Sequence, residues 1–367
     1  MQVSRFFVFM IAFSLTIMAV IHLSCSDDDK SVTPDNPANP EWVWSPLGAG
    51  MNELVMAFAV YDNKLIAGGA FTTAGGISAN HIAAWDGSVW MPLGSGINGD
   101  VYALTIHDNK LIAAGDFTTA GGQSANRVAA WNGSSWSPLG SGMNDMVFAL
   151  AVEFSGKLIA GGRFTVVNGA TTAKYIASWN GSSWTNLGAG MDYEVRALTA
   201  YGPNLIAGGW FTTAGGVSAN HIAAWNGYDW SSLMTGMNNL VWEVAVNGND
   251  LIAGGWFDSA GGVSANHIAA WNGQPWVPLG AGLNGYVAAL TVFDSMLIAG
   301  GFFTTAGGVN SNKIAAWDGS SWAPLGTGIS GQGIWALTAF DNRLIAGGLF
   351  DSAGGVAAQN IAACGPQ

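Results

Sequence analysis

Residues 101–139 read V-Y-A-L-T-I-H-D-N-K-L-I-A-A-G-D-F-T-T-A-G-G-Q-S-A-N-R-V-A-A-W-N-G-S-S-W-S-P-L, four short apolar runs divided by turn residues. Val101 to His107 is expected as a first strand. Asp108-Asn109 then supplies a tight hairpin of residues that tolerate positive φ. Lys110 to Phe117 returns as a second strand, and the loop T-T-A-G-G-Q-S-A-N leads to a third at Arg127 to Trp131. Asn132-Gly133 turns the chain again into a fourth strand, Ser135 to Leu139. Short strands bounded by Gly, Asn, Ser and Pro are an all-β signature. Nothing after residue 40 shows the 3.6-residue apolar spacing of a helix.

The same unit is written seven times. The W-x-P-L-G anchor and its close variants place Trp at 44, 90, 136, 184, 230, 276 and 322, at intervals of 46, 46, 48, 46, 46 and 46. A second anchor, G-G-x-F or A-G-x-F, places Phe at 71, 117, 164, 211, 257, 303 and 350. A period of this length built from strands points to a propeller. The seventh copy stops after its third strand, Asn360 to Cys364, while an orphan fourth strand, Trp42 to Leu47, precedes the first. Joined, the fragments complete a blade and remove the free sheet edges that invite aggregation. An all-β, seven-bladed propeller of four-stranded antiparallel blades is therefore expected over residues 41–367, with the N-terminal strand 42–47 closing the ring.

Composition agrees. Only 9% of residues are charged and 53 are glycine, which suits densely packed strands with many turns. Thirteen of the 18 tryptophans fall in two repeat columns, on the third and fourth strands, so they are expected to pack between blades rather than to stack on sugar. Eleven basic residues against 23 acidic ones give a net charge of −12. Such a balance weighs against nucleic acid and against electrostatic docking on anionic lipid.

The first 40 residues differ in kind. Arg5 precedes an apolar run, Phe6 to Leu23, followed by Leu23-Ser24-Cys25-Ser26 and the acidic Asp27-Asp28-Asp29. This resembles bacterial lipoprotein signals: residues 1–24 would be removed and Cys25 acylated, with 25–40 as an acidic, Pro-rich tether. His22 stands where such signals usually carry Leu. The resemblance implies a cell-envelope, surface-exposed outer-membrane lipoprotein held only by its lipid, with an uncleaved membrane anchor or ordinary secretion as the other possibilities. Cys364 would then have no partner, and a buried, inert thiol is expected.

Chemical motifs dissolve on inspection. Gly94-Ser95-Gly96-Ile97-Asn98-Gly99 fits the dinucleotide fingerprint G-x-G-x-x-G, but a strand is expected to follow it, not a helix. His81, His221 and His267 share one column, yet a propeller spreads equivalent positions around a ring, so no metal site is expected. No nucleophile elbow or Ser, His and Asp set stands apart from the repeat, so neither catalysis nor a cofactor is expected. The Asn132 and Asn180 sequons coincide with hairpin turns.

The functional lever is divergence among copies. Three columns change chemistry while their neighbours hardly vary. They are Met56, Tyr102, Phe148, Arg196, Trp242, Ala288 and Trp335; then Ala70, Asp116, Arg163, Trp210, Trp256, Phe302 and Leu349; then His81, Arg127, Tyr175, His221, His267, Lys313 and Asn360. Strand direction puts all three toward one face, where binding specificity usually sits. Arg163, Arg196, Trp210, Trp242 and Trp256, with Tyr102 and Trp335, are the candidate ligand-binding residues. Aromatics beside arginine suit a glycan or a protein partner. The alternative is a hydrolase or lyase acting on extracellular polysaccharide through acids such as Asp116, Asp145 and Glu194, for which a raised carboxyl pKa in a cleft would be the mark.

The unit W-N-G-S-S-W-x-P-L-G-x-G-M-N followed by L-I-A-G-G-x-F-T-T-A-G-G resembles the repeats of bacterial extracellular propellers of the kelch-like, galactose-oxidase-central-domain type. It is also similar to the repeats of fungal bud-site landmark proteins. The likeness covers residues 42–364 and departs from kelch in having Trp85 and Trp90 five apart. It implies a non-catalytic extracellular recognition or scaffold role; a monomer with an unidentified glycan or envelope or extracellular protein as partner is expected.

Overall fold

The computed structural model describes residues 42–366. The signal segment 1–24, Cys25 and the tether 25–40 lie outside the described residues. Seven antiparallel four-stranded sheets form the blades, and no helix occurs among the described residues. Blade 1 orders Val55–Tyr61, Lys64–Gly69, Ile82–Trp85 and Trp90–Pro92. The innermost strands of blades 2 to 6 are Asp100–His107, Val147–Val152, Val195–Tyr201, Val241–Asn247 and Val287–Phe293. Blade 7 combines Ile329–Phe340, Arg343–Ala353 and Ile361–Pro366 with Trp42–Pro46, whose Trp44 lies opposite Cys364. Each innermost strand neighbours the next, and the last returns to the first. The ring is closed by strands from both ends of the described chain.

Physical chemistry explains the repeat unit. The second strand, L-I-A-G-G, is buried throughout because both faces of the sheet are covered by neighbouring blades. Asp108 and Asn109 adopt φ of 49° and 57°, the left-handed pair that matches the twist of a two-residue hairpin. The T-T-A-G-G segment, expected as loop, contains a second small hairpin: Thr73 pairs Ser78 and Ala74 pairs Ile77, with Gly75 and Gly76 at φ of 58° and 84°. In the sequons, Asn132 and Asn180 accept backbone N–H bonds from the two serines that follow each Asn-Gly turn. A strand, Asp100–His107, follows the fingerprint-like Gly94–Gly99.

The tryptophans pack as expected and do one thing more. In each blade the fourth-strand Trp donates its indole N–H to the Leu carbonyl of the preceding blade's W-x-P-L-G motif. The pairs run Trp90 to Leu47, Trp136 to Leu93, Trp184 to Leu139, Trp230 to Leu187, Trp276 to Leu233, Trp322 to Leu279 and Trp44 to Leu325, all between 2.9 and 3.2 Å. One motif thus supplies the donor on one side and the acceptor on the other, and the ring of bonds closes with the ring of blades. Third-strand Trp131 packs on Trp136 at 5.4 Å, and the pattern recurs around the disc. Cys364, in the position of that third-strand Trp, is buried, and burial pushes its thiol up to about 12.

Candidate functional site

A β-bulge recurs at one position on every innermost strand. Register slips between Val55 and Ala57, Val101 and Ala103, Val147 and Ala149, Val195 and Ala197, Val241 and Glu243, Val287 and Ala289, and Ile334 and Ala336. The residues left without a ladder partner are Met56, Tyr102, Phe148, Arg196, Trp242, Ala288 and Trp335, the first of the three divergent columns. A bulge re-aims a side chain out of the regular alternation. Here it sends all seven toward the central channel, where they line one cavity of about 350 Å³ together with Met146, Arg163 and Glu243.

Of the candidate residues, Tyr102, Arg163, Arg196, Trp242 and Trp335 meet at this mouth. Trp210 and Trp256 do not line the cavity. They remain 36% and 47% exposed, Trp210 edge-on to His221 and Trp256 on Tyr286 at 4.8 Å. Aromatic contacts continue from Tyr286 to Phe302 and from Phe302 to Trp335.

Charge is arranged tightly. Arg196 donates to Glu194 Oε1 from Nε at 2.7 Å and Nη2 at 2.6 Å, and Arg163 Nε stands 3.4 Å from Glu194 Oε2. The Arg196 guanidinium lies 3.9 Å from the Phe148 ring centroid and 5.3 Å from that of Trp242. Stacking and a two-point ion pair hold it in one orientation. Tyr102 packs on Phe148 at 5.6 Å, and burial, with Asp100 and Asp116 nearby, pushes its phenol up to about 12.

The acids named from sequence are otherwise engaged. Asp116 pairs with Arg127 Nε at 3.4 Å, Asp145 accepts from the Met146 N–H, and Glu194 serves two arginines. None of the three lines the cavity. The carboxyl that does is Glu243, which sequence reasoning passed over. Its signal was visible: this column holds Ala57, Ala103, Ala149, Ala197, Ala289 and Ala336 in the other six blades. Burial pushes the Glu243 carboxyl up to about 8. The unfolded carboxyl titrates near 4.5, so the folded state holds the extra proton between these values. Its contribution to stability is fully present below about 4.5 and is lost as pH rises through about 8. Glu243→Ala, which gives blade 5 the residue of the other blades, should stabilise the protein by ~2 kcal/mol above that range, a figure reduced because water reaches the channel. Urea unfolding should show the two proteins converging below about pH 4.5.

The third divergent column shares a backbone state. His81, Arg127, Tyr175, His221, His267, Lys313 and Asn360 all have φ between 62° and 69°, so the third strand begins one residue later than expected. Asn360 and the three histidines are of types enriched in this region, and the buried Asn360 amide bonds Phe350 N–H and the Met51 carbonyl. The histidines stand in three different blades. His81 and His221 place Nδ1 at 3.1 and 3.2 Å from the Gly69 and Gly209 carbonyls, and burial lowers the pKa of His221 and His267. No group of three or more His, Cys, Asp or Glu side chains among the described residues could hold a metal ion.

Comparison with known proteins places the architecture. Residues 41–201 match the family described as the Rax2 C-terminal beta-propeller domain. No curated protein sequence matches the chain. Among solved structures, the WD40 beta-propeller domain of Doa1 aligns with a TM-score of 0.60 at 14% identity, over 89% of this chain and 97% of that one. The extracellular domain of a hybrid two-component system from B. thetaiotaomicron aligns at 0.56 and 12% identity, over 89% of this chain but 40% of that one. The computationally designed Ika8 protein aligns at 0.51 and 16% identity, over 87% and 98%. Likeness at such identities establishes the propeller fold alone.

Proposed function

We propose that this propeller is a non-catalytic recognition module of the cell envelope, anchored through a lipid on Cys25, whose channel mouth binds a glycan or an extracellular protein. The observation that carries this reading is the convergence of the bulged column, one of three divergent columns in an otherwise nearly invariant repeat, on one aromatic-walled cavity. Relaxed drift would scatter changes over exposed positions, whereas these replace side chains aimed at one space. The Arg163–Glu194–Arg196 cluster adds fixed polar groups to apolar walls, the usual composition of a ligand pocket. The extracellular character of the B. thetaiotaomicron neighbour accords with an envelope location.

A screen of the purified protein against a glycan array and envelope extracts should return a saturable hit. The Arg196→Ala/Trp242→Ala double variant should lose it by about a hundredfold, two side-chain contacts of roughly 1.4 kcal/mol each. Binding that survives the double variant, or none at all, would make the disc a passive scaffold. Labelled fatty acid that fails to incorporate into the wild type would remove the lipid anchor, and incorporation that persists in Cys25→Ala would remove Cys25 as its site.

Glu243 favours a second reading, a polysaccharide hydrolase or lyase, because its raised carboxyl in a cleft is the mark of an acid catalyst. The surroundings argue the other way. Glycoside hydrolysis ordinarily takes two carboxyl groups at the bond, and Glu194 is committed to two arginines. Tyr102, pushed up to about 12, is a poor base near neutral pH. Turnover of any polysaccharide, abolished by Glu243→Gln, would overturn the binding reading.

A further inference from the structure

Resting on the recognition reading, we propose that the channel mouth takes a carboxylate-bearing sugar ring, a uronic-acid residue of an acidic polysaccharide. Its carboxylate would sit on Arg163 and Arg196, its apolar face against Trp242, and its hydroxyls on the Glu243 carboxyl.

Charge decides the first element. Two guanidinium groups share one carboxylate, Glu194, so the Arg163–Glu194–Arg196 cluster carries one positive charge in excess, in a chain whose net charge is −12. Arg196 is oriented by its stacking on Phe148, while Arg163 meets Glu194 only through Nε at 3.4 Å, its side chain 48% exposed. A guanidinium has five N–H donors in a planar fork that suits a carboxylate. The terminal N–H groups of Arg163 are the ones with donors to spare.

Shape decides the second. A volume of about 350 Å³ lies at the small end of ligand pockets, room for a ring or two but not for a folded segment. Its aromatic lining of Tyr102, Phe148, Trp242 and Trp335 offers flat faces. Trp210 and Trp256, exposed on the same face in blades 4 and 5, are platforms for further rings of a chain.

Glu243 decides the third. Since its carboxyl is pushed up to about 8, it is mostly protonated at neutral pH. It therefore leaves the arginine charge uncancelled and can donate as well as accept a hydrogen bond. The groups around this channel are Arg196 and Glu194 from blade 4, Arg163 from blade 3, and Tyr102, backed by Asp100 and Asp116, from blade 2. Blades 1, 6 and 7 present Met56, Ala288, Ala289, Trp335 and Ala336, which carry no charge. Ionisation of Glu243 would place an unpaired negative charge in the channel and repel the ligand.

The test is calorimetric titration of the whole protein with a galacturonic-acid tetrasaccharide. Its methyl ester, a neutral glucose tetrasaccharide and an acidic peptide serve as comparisons. The free acid should bind saturably, with esterification or Arg163→Met each weakening it about tenfold, the loss of one charge-assisted contact. Affinity should fall several-fold between about pH 6.5 and about pH 9.5 in the wild type but not in Glu243→Gln, the sugar being ionised throughout. Glu243→Ala, carrying the residue of the other six blades, separates loss of contact from loss of fold. If the ester or the neutral sugar binds as tightly, or only the peptide binds, and binding is lost in Trp242→Ala, recognition at the mouth stands and the uronic-acid assignment falls. If no probe, glycan array or envelope extract gives binding sensitive to Trp242, both fall.

Discussion

Trp184→Ala should lower the stability of the propeller by about 4 kcal/mol, measured as a shift of the urea midpoint with little change in slope. Trp184 is 1% exposed, the most deeply buried member of its column. Truncation removes an indole packed on Trp179 at 5.4 Å and leaves a cavity between blades 2 and 3. It also strips the Leu139 carbonyl of its 3.0 Å bond, a buried acceptor whose desolvation then goes uncompensated. Trp184→Phe keeps most of the volume and loses the bond, so it should cost roughly 1–2 kcal/mol. A cost near zero for Trp184→Phe would mean that packing alone matters and that the bond ring contributes nothing measurable.

Gly209→Ala should also be strongly damaging, for a different reason. A Cβ at this position would sit 2.2 Å from the Glu194 carbonyl oxygen and 3.1 Å from the Val195 Cα, backbone atoms that cannot rotate aside. The contact follows from the bulge, which draws the preceding turn over the second glycine of the G-G pair. The loss should exceed about 3 kcal/mol, and the Glu194 anchor of both arginines should shift with it. The adjacent Gly208→Ala is the control. Its Cβ would meet only side chains, Val241 at 2.6 Å and Val244 at 3.4 Å, and blade 2 already carries Ala114 there. A milder loss at 208 than at 209, read from urea unfolding and soluble yield, is the expected outcome; the reverse order would refute the role given to the bulge.

The repeat made the blade legible because a strand and its turn are local objects. Asp108-Asn109 specifies a left-handed hairpin within a few residues, and L-I-A-G-G declares burial on both faces. Trp44 and Cys364 occupy complementary places in one incomplete copy, so ring closure could be read by subtraction. The candidate site was half legible. Divergence picked out Tyr102, Arg196, Trp242 and Trp335, and added Arg163 from a second column, all now found together. The same criterion included Trp210 and Trp256, which share the face but not the cavity. It passed over Glu243 because a single departure in an alanine column attracts less notice than a column that varies throughout.

Sequence by itself therefore determined the number of blades, their four strands, their closure and the face that varies, since each follows from periodicity or from turn chemistry along the chain. Tertiary structure alone decided which divergent residues meet. The cavity takes one bulged side chain from each of seven innermost strands, some 46 residues apart, with Glu243 beside that of blade 5, and a hydrogen-bond slip at each bulge turns the bulged side chain inward. It also decided the charge state of the site. The pairing of Glu194 with two arginines and the proton on Glu243 come from distances and burial created only when the ring closes.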